Sequence, residues 1–170
     1  MKTERYTGRL VHSPMMIATF AAGCFWGVEA AFQQVHGVLA TRVGYTGGDV
    51  ENPTYEEICS DKTGHVEAVQ IEYDPGQVTY QELLNHFFTM HDPTQENRQG
   101  PDIGSQYRSV IFFHSEEQEQ EATRAIEELS RNGRYNGPIV TAIVRAGPFW
   151  QAEEYHQSYI LKMGRRYGGL

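Results

Sequence analysis

The stretch that decides the fold is residues 16–35, which read MIATFAAGCFWGVEAAFQQV. The apolar run Met16–Ala22 predicts a buried first strand, and apolar residues at helical spacing predict a helix over Gly27–His36. Cys24 therefore lies in the turn between them, at or near the N-terminus of a helix. Unpaired backbone N–H groups and the helix dipole favour an anion there, so we expect Cys24 to form a nucleophilic thiolate. The alternative is that Cys24 is a small buried apolar residue, as most free cysteines are.

Outward from this unit, strand and helix patterns alternate along the chain. Asn52 is the expected N-cap of a short helix, and Thr79 with Glu82 has the spacing of a capping box. The predicted strands are Val38–Tyr45, Val66–Tyr73, Arg108–His114 and Ile139–Ala146, and the predicted helices are Pro53–Cys59, Thr79–Met90, Ser115–Arg131 and Pro148–Met163.

The segment His91–Tyr107 is long, polar and without a strand or helix pattern. Long loops inside compact domains are usually either functional or disordered. Because clear strand and helix signals lie on both sides, we expect a functional loop.

Alternating strands and helices predict an α/β (α+β) fold, since such chains need crossover connections. We expect a mixed β-sheet with a split βαβ unit, a ferredoxin-like core covered by helices, and extended loops. We expect residues 1–170 to form a single catalytic domain, with an N-terminal arm over residues 1–14. The last ten residues, 161–170, are expected to be a tail, and they contain no cysteine.

The composition excludes several classes of protein. The formal net charge is −8 and no basic cluster interrupts it, so we expect no nucleic-acid partner. The 2 cysteines lie far apart and form no disulfide framework, and no apolar run is long enough to span a membrane. These features predict a cytoplasmic protein, and nothing in the sequence demands more than a monomer.

One alternative concerns the start of the chain. Basic residues precede an apolar run that ends at Cys24, which imitates a secretory signal followed by a lipidated cysteine. A lipidated cysteine is normally followed by a polar tether, whereas here Phe25–Val28 continues into an amphipathic pattern. We therefore favour a buried strand over a lipid anchor.

Four further residues are candidates for a site around Cys24. Glu67 lies inside an apolar strand, either on its solvent face or as a desolvated carboxyl whose pKa is raised enough to hold a proton near neutrality. Tyr55, Tyr107 and Asp102 are polar residues of loops or loop-like segments and are singly unremarkable.

We expect no metal, because the histidine and cysteine residues lack ligand spacing. His86 and His91 are five positions apart and do not share a helical face, and Cys59 and His65 are isolated. No glycine loop with phosphate-binding spacing is present either, so no cofactor is expected.

Several motifs together resemble the peptide methionine sulfoxide reductases of the A class. The resemblance covers roughly residues 16–160 and is carried, in order, by Gly23–Gly27, Gly44–Gly48, Pro53–Glu56, Thr63–Glu67, His91–Thr94, Asn97–Gly100, Asp102–Ser109 and Phe149–Gln157. It implies an oxidoreductase that reduces methionine S-sulfoxide, free or in proteins, and so repairs oxidised proteins.

The resemblance also implies a role for each candidate residue. Cys24 would attack the sulfoxide sulfur and become a sulfenic acid. Phe25 and Trp26 would hold the substrate methyl group, and Asp102 would bind the substrate backbone or order its loop. The sulfoxide oxygen would accept hydrogen bonds from three side chains, those of Glu67, Tyr55 and Tyr107, and Glu67 would supply the proton.

The chain departs from many family members in lacking a tail cysteine that recycles the sulfenic acid. Cys59 is the other thiol, and it should share a helix face with Tyr55 four positions earlier. We favour reduction of Cys24 by an external thiol, namely thioredoxin, glutaredoxin or a small thiol, over Cys59 as an internal resolving residue.

Two other functions fit parts of the sequence. A thiol peroxidase would use the reactive Cys24 but would leave Phe25 and Trp26 without a role. A non-enzymatic module that binds oxidised methionine would need the aromatic surface but no reactive sulfur.

Overall fold

The computed structural model describes residues 14–167 and places a six-stranded sheet at the centre of the molecule, in the order β7-β6-β1-β3-β2-β8. A two-stranded hairpin, β4-β5, lies apart from it. The strands are β1 (Met16–Ala22), β2 (Val38–Thr46), β3 (Val66–Tyr73), β4 (Arg98–Gln99), β5 (Asp102–Ile103), β6 (Ser109–Phe113), β7 (Ala142–Arg145) and β8 (Phe149–Gln151). The helices are α1 (Phe25–Gln33), α2 (Tyr55–Cys59), α3 (Tyr80–Thr89), α4 (Glu116–Arg131) and α5 (Tyr159–Tyr167).

The topology confirms the predicted fold class. β3 pairs antiparallel with both β1 and β2, so β1-α1-β2 is a βαβ unit that β3 splits. With β6 antiparallel on the other side of β1, the four central strands and helices α1 and α3 form the expected ferredoxin-like core. β7 adds a parallel strand beyond β6, and β8 adds an antiparallel strand beyond β2.

The main core lies between the sheet and helices α1 and α3. Phe20 of β1 stacks on Phe32 of α1 with ring centroids 5.3 Å apart, and on Phe87 of α3 at 5.2 Å. All three rings are fully buried, and burial of each such side chain contributes about 1.5–3 kcal/mol. The residues 18–22 are therefore part of a central strand of the sheet, as the favoured interpretation of this apolar run predicts.

Local signals placed some helix ends correctly and others wrongly. Thr79 and Glu82 form the predicted capping box, and Ser115 caps α4. The predicted cap at Asn52 is wrong, because Asn52 has φ 46° and the Thr54 side chain instead accepts from the Glu57 N–H. Helix α1 begins at Phe25, two residues before the predicted start, so that Cys24 is its N-cap.

Two long segments differ from their predictions. The loop 91–107 is not structureless, because it contains the β4-β5 hairpin and a 3-10 turn over Ser105–Tyr107. The single helix predicted over 148–163 is instead strand β8, a 3-10 turn at Glu154–His156 and helix α5. The segment is split because β8 completes the sheet edge against β2 before the chain turns back over α1.

The two ends of the chain are only partly described. The expected arm at residues 1–14 lies outside the described residues except for Pro14. The expected tail is helical as far as Tyr167, and residues 168–170 lie outside the description. Within residues 14–167, no helix is long and apolar enough to cross a bilayer.

Candidate active site

The turn that carries Cys24 is held in a conformation that glycine permits. Gly23 has φ 96°, and a Cβ there would lie 2.8 Å from Cβ of Gln99. Cys24 follows as the N-cap of α1, and its carbonyl accepts the first helical hydrogen bond, from the Val28 N–H at 3.4 Å. The half-buried thiol thus lies where the central strand β1 ends and the helix begins.

Burial changes the expectation for the Cys24 thiol. The N–H groups of Trp26 and Gly27 favour the thiolate, as expected at a helix N-terminus. However, desolvation and the nearby carboxyl groups of Glu67 and Asp102 together raise the pKa of the thiol above its ordinary value. The raised pKa favours the neutral thiol over the expected thiolate.

Glu67 lies on the helix-covered face of β3, and its interpretation as a solvent-facing residue is wrong. It shares this face with the core residues Val69 and Ile71, and it is 2% exposed. Its Oε1 accepts the Phe25 N–H at 3.1 Å, which brings the carboxyl to the first residue of α1. Desolvation, opposed by this hydrogen bond and reinforced by Asp102, raises the pKa of Glu67 to about 7.

Two phenols lie near the same carboxyl. Burial, with Glu67 and Asp102 close by, raises the pKa of Tyr107 to about 12. Burial and a hydrogen bond with the Cys59 thiol raise the pKa of Tyr55 above its ordinary value, and Glu67 and Tyr107 add to the effect. Both hydroxyl groups therefore stay protonated at neutral pH and can donate hydrogen bonds. Tyr55 and Cys59 do share a face of α2, as their spacing predicts.

An apolar surface adjoins the thiol on its helix side. Trp26 is half-buried, whereas Phe25 is 1% exposed and packs against Tyr45 and His156. The Trp26 indole stacks on Tyr159 with centroids 3.8 Å apart, and its Nε1–H donates to Nδ1 of His156 at 2.9 Å. Trp26 thus presents most of the accessible ring surface of the pair, while Phe25 supports it from within the core.

Asp102 reaches the site through the β4-β5 hairpin. It is close enough to Cys24, Glu67 and Tyr107 to influence the pKa of each. Asp102 pairs with Gln99 across the hairpin. The Gln99 side chain exchanges two hydrogen bonds with the backbone of Asp92, at 2.8 and 2.9 Å, and packs against Gly23. The hairpin is therefore fixed to the turn that carries Cys24.

Sequence reasoning missed the residues of the C-terminal segment that brace the site. Glu153 accepts hydrogen bonds from the Tyr45 hydroxyl at 3.1 Å and from the Tyr55 N–H at 3.2 Å. His156 lies between the rings of Phe25, Trp26 and Tyr55. The motif Phe149–Gln157 was part of the resemblance. Polar residues such as Glu153 and His156 within this aromatic segment were the feature of the sequence that could have indicated a role near the site.

Two of the three histidines that invited a metal interpretation have structural partners, whereas His86 is exposed on α3. His65 accepts the Gly48 N–H at 3.0 Å and contacts the Val50 carbonyl, which holds the turn after β2. His91 lies 2.7 Å from Ser109 Oγ, and burial lowers its pKa to about 4. In the described part of the chain no group of three or more His, Cys, Asp or Glu side chains could hold a metal ion.

The structure thus brings together a thiol at a helix N-terminus, a buried carboxyl with a raised pKa and two phenols. The family model described as peptide methionine sulfoxide reductase matches residues 16–169. The peptide methionine sulfoxide reductase MsrA of Methanoculleus marisnigri is 62% identical over 147 residues, covering 86% of this chain and 90% of the relative. The MsrA of Geobacter metallireducens is 61% identical over 147 residues, 86% of this chain and 91% of its own length.

Solved structures agree with these relatives. Mxr1 from Saccharomyces cerevisiae in reduced form has a TM-score of 0.82 and 36% identity, over 87% of this chain and 85% of that one. Methionine sulfoxide reductase A of Corynebacterium diphtheriae has a TM-score of 0.79 and 39% identity, over 87% and 74%. The chain therefore belongs to the peptide methionine sulfoxide reductase family, in its S-epimer-specific A class. It is an oxidoreductase that reduces methionine sulfoxide to methionine.

Proposed function

We propose that Cys24 carries out the reduction, with Glu67 as the acid. Cys24 Sγ attacks the sulfoxide sulfur as the thiol gives up its proton. The sulfoxide oxygen takes a proton from Glu67 while a bond forms between Sγ and the substrate sulfur. The resulting hydroxyl group then passes to Sγ as the bond between the two sulfurs breaks, which yields methionine and a Cys24 sulfenic acid. Glu67 recovers the proton that the thiol released, so the step consumes one thiol and one sulfoxide and leaves the acid ready again.

The observation that carries this proposal is the placement of Glu67. A carboxyl that is 2% exposed, with a pKa of about 7, is substantially protonated at neutral pH and lies next to the first residue after Cys24. A general acid works best when its pKa lies near the operating pH. The same carboxyl disfavours the Cys24 thiolate when ionised, so the two groups are matched as neutral acid and neutral thiol.

We further propose that the site is asymmetric around the substrate sulfur. The hydroxyl groups of Tyr55 and Tyr107, together with Glu67, donate to the oxygen, and the Trp26 face accepts the methyl group with Phe25 behind it. Hydrogen-bond donors on one side and apolar surface on the other fix which sulfoxide epimer presents its oxygen correctly. Asp102, on the hairpin wall, binds the substrate backbone or orders that wall.

For recycling, we propose that an external thiol reduces the Cys24 sulfenic acid. Support comes from the structure of Mxr1 from Saccharomyces cerevisiae in complex with Trx2. This Mxr1 chain matches ours with a TM-score of 0.61 and 26% identity, over 93% of our chain and 91% of that one. Thioredoxin is the first choice, and glutaredoxin or a small thiol would do the same chemistry. The alternative is Cys59, which is exposed and hydrogen-bonds with the Tyr55 hydroxyl.

We also propose that residues 1–170 act as one monomeric catalytic domain in the cytoplasm. Both cysteines are free thiols, as expected in a reducing compartment. All of the proposed site residues belong to one chain, and a monomer can supply them.

A single-turnover assay tests the proposed chemistry. The enzyme, without reductant, is mixed with each methionine sulfoxide epimer separately and the methionine formed is counted. We expect about one equivalent from the S epimer alone, since one thiol supports one turnover, and none in Cys24→Ser. Product from neither epimer would overturn the proposal. Turnover of peroxide instead would support a thiol peroxidase, and epimer binding without product in the wild type would support a binding module.

A further inference from the structure

A second buried carboxyl, Glu29 of α1, has no part in the proposed chemistry. It is 1% exposed and lies one turn after Trp26 on the same helix. Its Oε2 accepts the Thr41 hydroxyl at 2.8 Å, and its Oε1 accepts the Ser158 N–H at 2.6 Å. Neither donor is a cation. Burial of a carboxylate costs free energy that an apolar residue would avoid, so its retention here needs a reason.

The hydrogen bonds around Glu29 form a closed network with Thr41, Gln33 and Ser158. Gln33 Nε2 donates to Thr41 Oγ1 at 3.2 Å and to Ser158 Oγ at 3.1 Å. Because the Thr41 oxygen accepts from Gln33, its own proton is directed to Glu29. The side chain at position 29 must therefore accept on both of its terminal atoms, which an amide cannot do because one of those atoms is an NH₂ donor.

This network fixes the backbone at the point where the C-terminal segment approaches Trp26. Ser158 has φ 50°, a left-handed conformation that costs free energy in a residue other than glycine. Its N–H is the group that Glu29 binds. The residue after Ser158 is Tyr159, which stacks on Trp26, and two residues before it is His156, which accepts the indole N–H.

We propose that Glu29 is a positioning residue that sets the orientation of the Trp26 indole, and through it the affinity for methionine sulfoxide. Glu29 binds the Ser158 N–H and so fixes the backbone that carries His156 and Tyr159. Tyr159 then stacks on the face of the Trp26 indole, and His156 accepts the indole N–H at its edge. The effect on affinity rests on the proposed role of Trp26 in holding the substrate methyl group, whereas the effect on ring orientation does not.

The test replaces the carboxylate with its isosteric amide, Glu29→Gln, which puts an NH₂ group against one of the two donors. We expect the KM for the S epimer to rise about tenfold, while kcat and the rate of Cys24 alkylation by iodoacetamide stay within about twofold. In a Trp150→Phe background Trp26 is the remaining one of the 2 tryptophans, and its fluorescence emission should shift in the Glu29→Gln variant. Thr41→Val removes one donor and should change KM and emission in the same direction by less.

Glu127→Gln, on the exposed face of α4, is the matched control and should change neither quantity. An unchanged KM and emission in folded Glu29→Gln would overturn the proposal, and Thr41→Val decides the matter if that variant does not fold. A parallel loss of kcat, alkylation rate and melting temperature would also overturn it, because it would indicate a general structural role. If Trp26→Ala leaves KM unchanged, the methyl pocket is wrong, and the emission shift alone then tests the positioning.

Discussion

The carboxyl of Glu67 is placed where an apolar side chain would pack most easily. It occupies the same face of β3 as Val69 and Ile71, and one backbone N–H, from Phe25, compensates it. The strand thereby keeps a proton donor in contact with the start of α1 at the expense of stability. Two measurable consequences follow from this residue, one for the rate and one for the folded state.

The first consequence concerns the pH dependence of the reaction. Because the pKa of Glu67 is about 7, its acid form disappears as the pH rises above that value. We therefore expect the single-turnover rate of the wild type to fall as the pH rises above about 7. Glu67→Gln should be slower by about 100-fold at pH 6, the lower end of the usual contribution of a general acid, and should lack the fall. A variant that keeps the wild-type rate would remove Glu67 from the chemistry.

The second consequence concerns the free energy of unfolding. Glu67 has a folded-state pKa of about 7 against an ordinary value of 4.5, so its stabilising contribution is present at low pH and is lost as the pH rises to about 7. Glutamine mimics the protonated form. Urea unfolding should therefore find Glu67→Gln more stable than the wild type at pH 8, by about 1–3 kcal/mol, with little difference near pH 4. Equal stability at both pH values would contradict the raised pKa.

Among the elements, the turn between β1 and α1 depends on its contact with the β4-β5 hairpin. The backbone of Gly23 and the side chain of Gln99 are in direct contact, and Gln99 in turn holds Asp92 and pairs with Asp102. The position of the Cys24 thiol relative to the β4-β5 hairpin therefore depends on the contact between Gly23, which has no side chain, and Gln99.

Alanine substitutions at two glycines test whether the contact with Gln99 makes Gly23 necessary, or whether any glycine in this turn and helix would be equally sensitive. Gly23→Ala would place a Cβ 2.8 Å from Gln99 Cβ at φ 96°, so we expect a loss of about 1–3 kcal/mol of stability. At Gly27, inside α1, a Cβ meets nothing within 4 Å, and Gly27→Ala should gain up to about 1 kcal/mol. Thermal unfolding of the two variants measures both. Similar effects at the two positions would show that the contact with Gln99 has no special weight.

The elements also show where sequence reasoning succeeds. The strand β1, the capping box of α3 and the split βαβ unit follow from local periodicity and caps, which are properties of short windows. The hairpin β4-β5 does not, because its strands are only two residues long and show no alternation of apolar and polar residues. The division of residues 148–163 does not either, because β8 forms against β2, which is distant in sequence. The buried face of Glu67 was also undecided, since a strand with two covered faces shows no alternation between apolar and polar residues.

For the site too, the sequence revealed the residue types but not their burial or surroundings. Cys24, Glu67, Tyr55, Tyr107 and Asp102 were named from their chemistry and from the family motifs, and the structure brings them together. The accessible and buried members of the Phe25–Trp26 pair could not be distinguished from sequence. The direction of the Cys24 pKa shift was expected wrongly, because a helix N-terminus is visible in a sequence whereas desolvation depends on the assembled walls.

At the scale of the whole molecule, the two thiols make the recycling route testable. We expect Cys59→Ser to keep multiple turnover with thioredoxin or dithiothreitol within about twofold of the wild type, because an external thiol can reduce the sulfenic acid directly. After one equivalent of substrate without reductant, dimedone should label Cys24. A mapped Cys24–Cys59 disulfide, with turnover lost but the first reduction retained in Cys59→Ser, would instead assign Cys59 as the resolving residue.

The position of Trp26 and its supports in the chain has a consequence for biosynthesis. The indole is made near the beginning of the chain, while His156 and Tyr159, which hold it, are made near the end. A ribosome at about 5–20 residues per second adds the last supports several seconds after the helix that carries the thiol. During that interval the nascent chain carries the indole without the two rings that hold it, so the proposed methyl pocket is completed only when synthesis is nearly finished.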